Sequence, residues 1–346
     1  MNIALITTDR KRGGIAVAFI NYLDSIRSMA DGVVTYAPAK SHLLSILKDR
    51  AFPDVQIIEL SPVQIKMLKW GFLPGALRKS LQTCSVIISH NNFLCHPLSK
   101  SNIPVIGICH SDKPTGLEYA DRIIALSTSG AKSLVDAGLK AEKIQCLPHY
   151  YVPIAQENRY QPCPTGPLIV VAAGRLVKKK GFEDFIDAAA LLGPRYGDKV
   201  EFWLAGEGEL MDPLHQHATA TSSPVKFKGW VDIKALIAQT SIFCLPSHAE
   251  PFGYVLSEFM DFGVPCVSTD TNGPLDILNS DQAGVIYPKG DANQLAEKLA
   301  ALIEFENDRR DLSSRAFARI REPDFSKEKF EERLKNIITS TLLFCP

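Results

Sequence analysis

The sequence lacks long hydrophobic runs, a surplus of charge and any pattern of paired cysteines. No apolar stretch approaches the roughly 20 residues that a membrane-spanning helix requires. The apolar run at residues 3–6 is too short for the core of a signal peptide, and no basic leader precedes it. These absences predict a cytoplasmic protein that is soluble or, at most, attached to the surface of a membrane.

Charge and cysteine content argue against two further classes. Lys and Arg together number 38, as do Asp and Glu, so the formal net charge is zero, whereas nucleic-acid binders usually carry a basic surplus. The 8 cysteines are scattered, without a Cys-x-x-Cys pair or the spacing of a metal site. Several lie in apolar runs, where a thiol behaves as a small buried hydrophobe, and a reducing compartment is the simplest interpretation. We expect no nucleic-acid partner and no metal site.

The sequence does contain a repeated alternation of short apolar runs with longer amphipathic stretches over 346 residues, more than one ordinary domain. Runs such as residues 86–88 are typical of strands buried on both faces of a parallel sheet, and strand–helix alternation indicates βαβ units. We predict an N-terminal Rossmann-like domain at 1–151, a Pro-rich linker at 152–167 and a C-terminal Rossmann-like domain at 168–325. A terminal helix at 326–346 is expected to pack back on the N-terminal domain.

Open parallel sheets bind ligands at the carboxyl ends of their strands. Two such doubly wound α/β domains facing each other across a cleft would therefore hold two ligands on opposite walls. The predicted strands lie at residues 3–7, 33–37, 55–60, 86–89, 105–109, 122–126 and 143–147 before the linker, and at 168–173, 200–205, 225–228, 242–245, 264–268 and 285–287 after it. The long predicted helices lie at residues 13–29, 182–192, 292–303 and 326–343.

The strongest functional segment runs from Leu245 to Glu258, from the end of a predicted strand through a tight loop into a helix. Pro251 and Gly253 fix the loop, and the first helical turn offers backbone N–H groups that suit a phosphate. Glu250 is placed to hold sugar hydroxyls or to oppose an oxocarbenium-like charge, and Glu258 to accept from two ribose hydroxyls. Either glutamate alone is more simply a solvated surface residue, but the strand–loop–helix context favours the functional interpretation.

A second segment, residues 173–182, also follows a predicted strand and opens a helix. Arg175 could grip phosphate oxygens bidentately, and Lys180 adds a second positive charge. The two cations could stabilise a nucleoside diphosphate leaving group as a glycosidic bond breaks, which is the work of a magnesium ion in other enzymes. Lys178 and Lys179 are interpreted as solvated.

These segments resemble the retaining glycosyltransferases of family 4, which have the GT-B fold. The resemblance covers most of residues 168–291 and, more loosely, the N-terminal half. The shared spacing is specific to the family, but it is not specific to a donor or an acceptor. The motifs that carry the resemblance are Gly174-Arg175-Leu176 with Lys180-Gly181, Gly206-Glu207-Gly208, and Glu250-Pro251-Phe252-Gly253 followed by Glu258.

The resemblance implies a role for each matching position. Arg175 and Lys180 would contact the donor diphosphate, Glu250 would hold the transferred sugar, and Glu258 would bind the ribose. Such enzymes typically need no metal or other cofactor. The further donor-binding positions that it implies are Phe252, Gly253, Tyr254, Gly206, Trp230, Val231 and Gly14.

The N-terminal half carries weaker signals. Gly13 and Gly14 precede the first long helix, and they form either a simple turn or the family's loop that closes on the donor phosphates and the acceptor. His110 ends a predicted strand, and it is either a structural histidine or the family's histidine near the reacting sugar. His149 is assigned to the acceptor side, within a segment that departs from the family's common Pro-Asn-Gly. A second departure lies at residues 273–276.

A stretch rich in cations and aromatic residues lies at residues 65–79. It could lie on an anionic lipid surface, and the alternative is a core-facing helix with solvated lysines. The residues assigned to the lipid contact are Lys66, Lys69, Trp70, Arg78 and Lys79.

The sequence thus predicts a glycosyltransferase that moves a hexose-like sugar from a nucleotide-sugar donor to a hydroxyl of a saccharide or glycolipid acceptor. The resemblance implies retention of the anomeric configuration and a place in the synthesis of cell-surface polysaccharide, lipopolysaccharide or glycolipid. One alternative is a nucleotide-sugar epimerase or a glycogen-synthase-like enzyme on the same scaffold. The other is a non-catalytic protein that binds nucleotide sugar.

Overall fold

A computed structural model describes residues 1–111, 113–161 and 166–344 of the chain. The chain divides into two compact units, one formed by Met1–Tyr150 with Asp324–Pro346 and the other by Tyr151–Pro323. Each unit is built on a parallel sheet of its own. The middle of the predicted linker, residues 162–165, lies outside the described residues.

The described part of the first unit contains a sheet of seven parallel strands. The strands are β1 (Asn2–Ile6), β2 (Gly32–Pro38), β3 (Val55–Leu60), β4 (Val86–Ser89), β5 (Val105–Ile108), β6 (Arg122–Ala125) and β7 (Ile144–Cys146). Their order across the sheet is β3-β2-β1-β4-β5-β6-β7. The helices are α1 (Gly14–Ile26), α2 (His42–Asp49), α3 (Pro62–Lys69), α4 (Gly75–Leu81), α5 (Cys95–Ser99), α6 (Thr128–Asp136) and, from the end of the chain, α14 (Lys327–Phe344).

The central strands of this sheet carry apolar residues on both faces and form the core of the first unit. Every residue of β4 and of β5 is buried, as expected for strands that helices cover on both sides. Helix α14 joins this unit by packing on α1, where the ring centroids of Tyr22 and Phe330 lie 5.0 Å apart in an edge-on contact. The last helix therefore contributes aromatic surface to the core of the first unit.

The described part of the second unit contains a sheet of six parallel strands in the order β10-β9-β8-β11-β12-β13. These are β8 (Leu168–Ala173), β9 (Val200–Ala205), β10 (Lys226–Gly229), β11 (Ile242–Leu245), β12 (Cys266–Thr269) and β13 (Val285–Tyr287). The helices are α7 (Phe182–Tyr196), α8 (Met211–Ala220), α9 (Ile233–Ile237), α10 (Tyr254–Asp261), α11 (Asn272–Ile277), α12 (Ala292–Glu304) and α13 (Glu306–Arg319).

Helix α7 is longer than the sequence predicts. The pair Gly193-Pro194 indicates an end at Leu192, but the helix continues to Tyr196 with Pro194 inside it. A helical proline removes one backbone hydrogen bond, and tertiary packing overrides such local preferences. Leu192 and the residues before it bury one face of α7 in the core of the second unit.

Both sheets have a position where the strand order reverses, and such positions bind ligands in open α/β sheets. In the first unit it lies between β1 and β4, and in the second between β8 and β11. Residues 7–13 and 90–91 follow the first pair of strands. Residues 174–181 and 246–253 follow the second pair, so the segments that sequence motifs single out in the second unit lie at the same edge of one sheet.

The prediction of an α/β fold with Rossmann-like domains is confirmed. The predicted strands all exist, with ends within about two residues of the observed ones, the usual uncertainty of element boundaries. Among the described residues, no helix is both long enough and apolar enough to cross a bilayer.

Candidate active site

The loops after β8 and β11 are joined directly by backbone hydrogen bonds. The amide nitrogens of His248 and Ala249 both donate to the carbonyl oxygen of Lys179, at 2.9 and 3.2 Å. Gly181 is in the left-handed region with φ +57°, and a Cβ there would lie 2.2 Å from the carbonyl oxygen of Pro246. Because only glycine permits this approach, the two loops form one rigid surface.

Opposite charges meet on this surface. Lys180 Nζ lies 2.5 Å from Glu250 Oε2, with side chains only 16% and 13% exposed, and Ser247 Oγ lies 3.5 Å from the same oxygen. Arg175 is exposed, and its side chain has no hydrogen-bond or ion-pair partner among the described residues. The loop thus combines a fixed cation–carboxylate pair with a cation available to an anionic ligand.

Gly206 and Gly208 hold the Arg175 loop from the other side. A Cβ at Gly206 would lie 1.9 Å from the carbonyl oxygen of Gly174, and one at Gly208 would lie 2.3 Å from that of Leu176. Leu176 N donates to the carbonyl oxygen of Glu207 at 2.9 Å. These glycines therefore allow the close packing that positions the loop, and direct donor contact by Gly206 stays a prediction.

The loop after β11 leads straight into α10. Gly253, at φ +110°, precedes the first residue of that helix, and no side chain caps the helix start. Phe252 is buried and contacts Tyr254 edge-on, with ring centroids 5.0 Å apart. Gly273 N donates to the carbonyl oxygen of Glu250 at 2.8 Å, so the 273–276 segment packs against this loop. The uncapped helix start is suited to an anion.

Glu258 follows Tyr254 by one helical turn on α10. Its carboxyl group is half-buried, and burial raises its pKa to about 7. It has no hydrogen-bond or ion-pair partner among the described residues. The charge of Glu258 contributes, after burial and Asp261, to raising the pKa of Tyr151. A carboxylate without a protein partner is free to accept hydrogen bonds from hydroxyl groups of a ligand.

Asp184 and His248 form a pair that the sequence analysis missed. His248 Nε2 lies 2.7 Å from Asp184 Oδ2, and Gly290 N donates to the same oxygen at 3.1 Å. The side chain of Asp184 is 11% exposed and that of His248 is 40% exposed. The pair anchors the Glu250 loop to α7. The available signal was the position of His248 two residues before Glu250.

The predicted base-binding residues lie at the end of β10. The carbonyl oxygen of Gly229 accepts from Gly206 N at 2.7 Å, which brings this edge beside the Arg175 loop. Trp230 is 59% exposed and Val231 is half-buried. Their contact with a base stays a prediction.

In the first unit, the loop after β1 is tied to the end of β4. Asn91 Oδ1 accepts from Thr8 N at 2.7 Å and from the hydroxyls of Thr7 and Thr8 at 3.1 Å. Gly13 precedes α1 without a capping side chain, and Gly14 is its exposed first residue. The glycine pair therefore begins the helix at the carboxyl edge of the sheet, and its contact with a donor or an acceptor stays a prediction.

His110 contacts two other histidines that follow strands of the first unit. His90 Nδ1 lies 3.0 Å from His110 Nε2, and the rings of His110 and His149 have centroids 5.4 Å apart. His90 and His149 are 0% and 1% exposed, whereas His110 is partly exposed. The acceptor-side role of His149 stays a prediction. The sequence analysis missed His90. The available signal was its position directly after a predicted strand.

Known structures share this fold over nearly the whole chain. The crystal structure of Anabaena Alr3699/HepE in complex with UDP-glucose superimposes with a TM-score of 0.81 at 20% identity and covers 98% of this chain and 100% of that one. The apo form of the lipopolysaccharide outer core galactosyltransferase WaaB also superimposes on this chain, with a TM-score of 0.74 at 17% identity, and the match covers 98% of this chain and 99% of WaaB. The chain has the GT-B fold of glycosyltransferases.

Sequence relatives point to the same class. Residues 155–319 match the family model described as "Glycosyl transferases group 1". The lipopolysaccharide core biosynthesis glycosyltransferase LpsE of Rhizobium meliloti (strain 1021) is 29% identical over 238 residues, which are 66% of this chain and 68% of LpsE. An α-1,4-N-acetyl-D-galactosaminyltransferase of Campylobacter jejuni that acts on an undecaprenol-linked saccharide is 32% identical over 49% of this chain and 47% of its own length. The match to the group 1 glycosyltransferase model thus lies within the second unit, and the protein is a glycosyltransferase.

Proposed function

We propose that the enzyme transfers a hexose-like sugar from a nucleotide-sugar donor to a hydroxyl of a saccharide or glycolipid acceptor, with retention of the anomeric configuration. The observation that carries the proposal is the ion pair of Lys180 and Glu250 beside the exposed Arg175. Retention is the outcome that the family 4 resemblance implies. Anomeric analysis of the product by NMR tests it, and an inverted product would contradict it.

The charges support a division of labour in the transfer step. As the glycosidic bond to the donor breaks, negative charge grows on the departing diphosphate and positive charge grows on the sugar ring. Arg175 and Lys180 are placed to stabilise the diphosphate, because preorganised cations act strongly where water is excluded. Glu250, held by Lys180 and Ser247, is placed to hold the hydroxyls of the sugar or oppose its positive charge.

The cations also support catalysis without a metal. With Arg175 and Lys180 neutralising the leaving group, a magnesium ion is not needed for this role. Among the described residues, His, Cys, Asp and Glu form no group that could hold a metal ion. We expect turnover to stay unchanged in EDTA, and a loss of activity that Mg²⁺ restores would contradict this part of the proposal.

A donor screen followed by one substitution tests the proposal. A nucleotide sugar that binds the native protein raises its melting temperature, so UDP-, GDP- and ADP-sugars are compared first. With the best donor, Lys180→Ala is expected to lower turnover by about 10²-fold or more, because it removes a fixed charge at the leaving group. Lys178→Ala is the matched control, since Lys178 lies in the same short turn and is exposed. Equal turnover in the two variants would reject the assignment.

The relatives support an acceptor at the cell surface. LpsE is named for lipopolysaccharide core biosynthesis, and AmsK of Erwinia amylovora, 26% identical over 70% of this chain and 62% of its own length, is named for amylovoran biosynthesis. We therefore include lipopolysaccharide and other surface polysaccharides in the acceptor class. Incubation with donor alone separates transfer from epimerisation, because an epimerase converts the donor without an acceptor.

A lipid-attached acceptor would require contact with a membrane, and one surface suits it. Trp70 is 64% exposed and Phe72 is 60% exposed, and Lys66 Nζ lies 4.7 Å from the ring centroid of Trp70. Ile65 and Leu68 are buried, so helix α3 packs its apolar face on the protein and leaves the aromatic residues beyond it exposed. Large exposed aromatic residues among cations favour an anionic lipid surface.

Vesicle co-sedimentation tests the lipid contact. Anionic vesicles are expected to sediment the wild type more than a variant in which Lys66, Lys69, Arg78 and Lys79 are replaced by Gln. Trp70→Ala with Phe72→Ala is expected to weaken binding without changing the charge. Neutral vesicles serve as the control. Equal sedimentation of the wild type and the charge variant would reject the contact.

A further inference from the structure

The carboxyl edge of the first sheet carries a histidine cluster formed by His90, His110 and His149. His90 follows β4 directly, His110 follows β5, and His149 follows β7. The ring planes of His90 and His110 are nearly parallel, with 16° between them, and His110 and His149 are 23° apart. Tyr22 contacts His90 and His149 edge-on, at centroid distances of 5.2 and 5.9 Å. The rings are therefore held in fixed orientations.

The contact of His90 with His110 requires one ring to donate and the other to accept. A neutral imidazole carries its proton on one nitrogen only. His90 Nδ1 and His110 Nε2 lie 3.0 Å apart, so one of these nitrogens carries the shared proton. The state of the second nitrogen on each ring then follows from this choice, because the proton and the lone pair lie on opposite sides of a neutral ring.

Burial of His90 decides between the two arrangements. His90 Nε2 is buried and has no hydrogen-bond partner among the described residues. If His90 Nδ1 accepted, Nε2 would have to carry a buried N–H without a partner, and such orphaned donors are rare in proteins. If His90 Nδ1 donates, Nε2 carries only a lone pair. Burial also lowers the pKa of His90, and the neighbouring histidines lower it further, so the ring is neutral at physiological pH.

We propose that His90 is a positioning residue that fixes the tautomer of His110. His90 donates its Nδ1–H to His110 Nε2, and His110 therefore carries its own proton on Nδ1. In this state His110 acts on a ligand as a hydrogen-bond donor, and its Nε2 is not a general base. This N–H group fits a ligand that offers a hydroxyl oxygen, such as a sugar. The choice of a sugar rests on the proposed function.

His149 and Tyr22 complete the arrangement by holding the ring plane. His149 is buried, and burial followed by the charge of His110 lowers its pKa well below the usual value, so it packs as a neutral ring. His149 thus gives the ring of His110 a neutral neighbour in a fixed orientation.

Nitrogen NMR of the labelled, ligand-free protein tests the tautomer directly. The two nitrogens of a neutral imidazole have separate shifts that identify the protonated one, and His110→Gln and His90→Asn assign the signals. We expect the Nδ1–H form of both His90 and His110 in the wild type. The Nε2–H form of His110 in the wild type would overturn the proposal, whether or not any variant folds.

Two substitutions of His90 test its effect on His110. His90→Phe keeps an aromatic ring but removes the donor, and we expect His110 to shift to the Nε2–H form or to a mixture. His90→Asn places an amide N–H close to the position of Nδ1, and we expect it to keep the Nδ1–H form. An unchanged tautomer of His110 in His90→Phe would contradict the proposal. Circular dichroism and thermal unfolding check that both variants are folded.

Kinetics separate this inference from the proposed function. With a working donor and acceptor, His90→Phe is expected to lower kcat by about 10²-fold, as removal of one preorganised donor typically does, with donor Kd unchanged. His90→Asn is expected to restore most of kcat. Equal losses in both variants would indicate a structural role only and would overturn the positioning role. The NMR result needs no substrate, so it stands even if the proposed transfer reaction is wrong.

Discussion

The carboxyl edges of the two sheets have the same architecture but bury different chemical groups. In the second unit, the reversal of strand order carries a largely shielded ion pair, Lys180 with Glu250, and the exposed Arg175 lies in the same loop as Lys180. In the first unit, the corresponding edge carries Asn91 and neutral buried histidines such as His90. The charged pair of the second edge is largely shielded from water, whereas residues 9–12 of the first edge are charged but mostly exposed, and the buried groups beside them are neutral. The fold alone therefore does not decide what a site binds.

The two edges are also stabilised differently. In the second unit, backbone hydrogen bonds and glycines such as Gly181 and Gly206 hold the loops together, which leaves the charged side chains available. The side-chain pair of Asp184 and His248 also contributes there, and in the first unit the side chain of Asn91 accepts from the loop after β1. Substitution of a charged residue that makes no such contact, such as Arg175, should therefore change chemistry more than stability.

The largest expected effect is that of Glu250→Gln. Turnover should fall by about 10²–10³-fold, because the neutral amide does not oppose positive charge on the sugar. Steady-state kinetics measure the loss, and thermal unfolding shows whether the fold persists. Glu209→Gln is the control, since Glu209 is exposed on the same unit. Near-normal turnover in Glu250→Gln would break the contrast between an edge with a shielded ion pair and an edge whose buried groups are neutral.

The next effect is that of Arg175→Ala on binding of a nucleoside diphosphate. We expect Kd to rise about 10-fold to 100-fold, in line with about 1.5–3 kcal/mol for a hydrogen bond to a charged group. The melting temperature should not change, because the side chain has no partner among the described residues. Calorimetric titration gives Kd. Arg175→Lys should be intermediate, since it keeps the charge but loses the bidentate fork.

The pH dependence of donor affinity tests Glu258, whose pKa is raised by burial to about 7. Ribose hydroxyls donate to the ionised carboxylate, so affinity should be nearly full at about pH 8 and about tenfold lower at about pH 6. The same shift means that Glu258 contributes most stability below its unfolded pKa and that this contribution is lost as pH rises to about 7.

Glu258→Gln is the control for this pH effect. An amide does not titrate in this range, so the variant should bind the donor with nearly constant affinity between about pH 6 and about pH 8. Titrations at each pH value give both Kd series. The same slope in the variant and the wild type would assign the pH dependence to another group.

The smallest expected effect concerns the Asp184–His248 pair. Asp184→Ala leaves Gly290 N and His248 without their acceptor, and it should lower the free energy of unfolding by about 1–3 kcal/mol. Asp187→Ala is a matched control, because Asp187 also pairs with a histidine, at 2.6 Å from His217, but its side chain is 39% exposed. An exposed pair contributes about 0–1 kcal/mol. Thermal unfolding compares the two, and equal shifts would contradict an anchoring role.

Prediction from sequence worked where the signal is local. Strands such as Val86–Ser89 and Leu168–Ala173 follow from continuous apolar runs, and their predicted bounds agree with the structure. The charged residues of the second unit lie in segments whose glycines and strand–helix context are visible in sequence. The sequence analysis named His110 and His149 separately but missed His90 and the contact between the three rings. That contact depends on the pairing of β4 with β5, which is not a local property of the sequence.

The sequence by itself determined the alternation of strands and helices and the residue types that follow each strand, because these depend on preferences and periodicities over a few residues. The tertiary structure decided which of those residues meet. Lys180 and Glu250 are 70 residues apart in the chain, and Asp184 and His248 are 64 apart. Side chains after β8 and β11 come together only because the packing of helices on both faces of the sheet makes these strands neighbours, and that packing is a property of the whole unit.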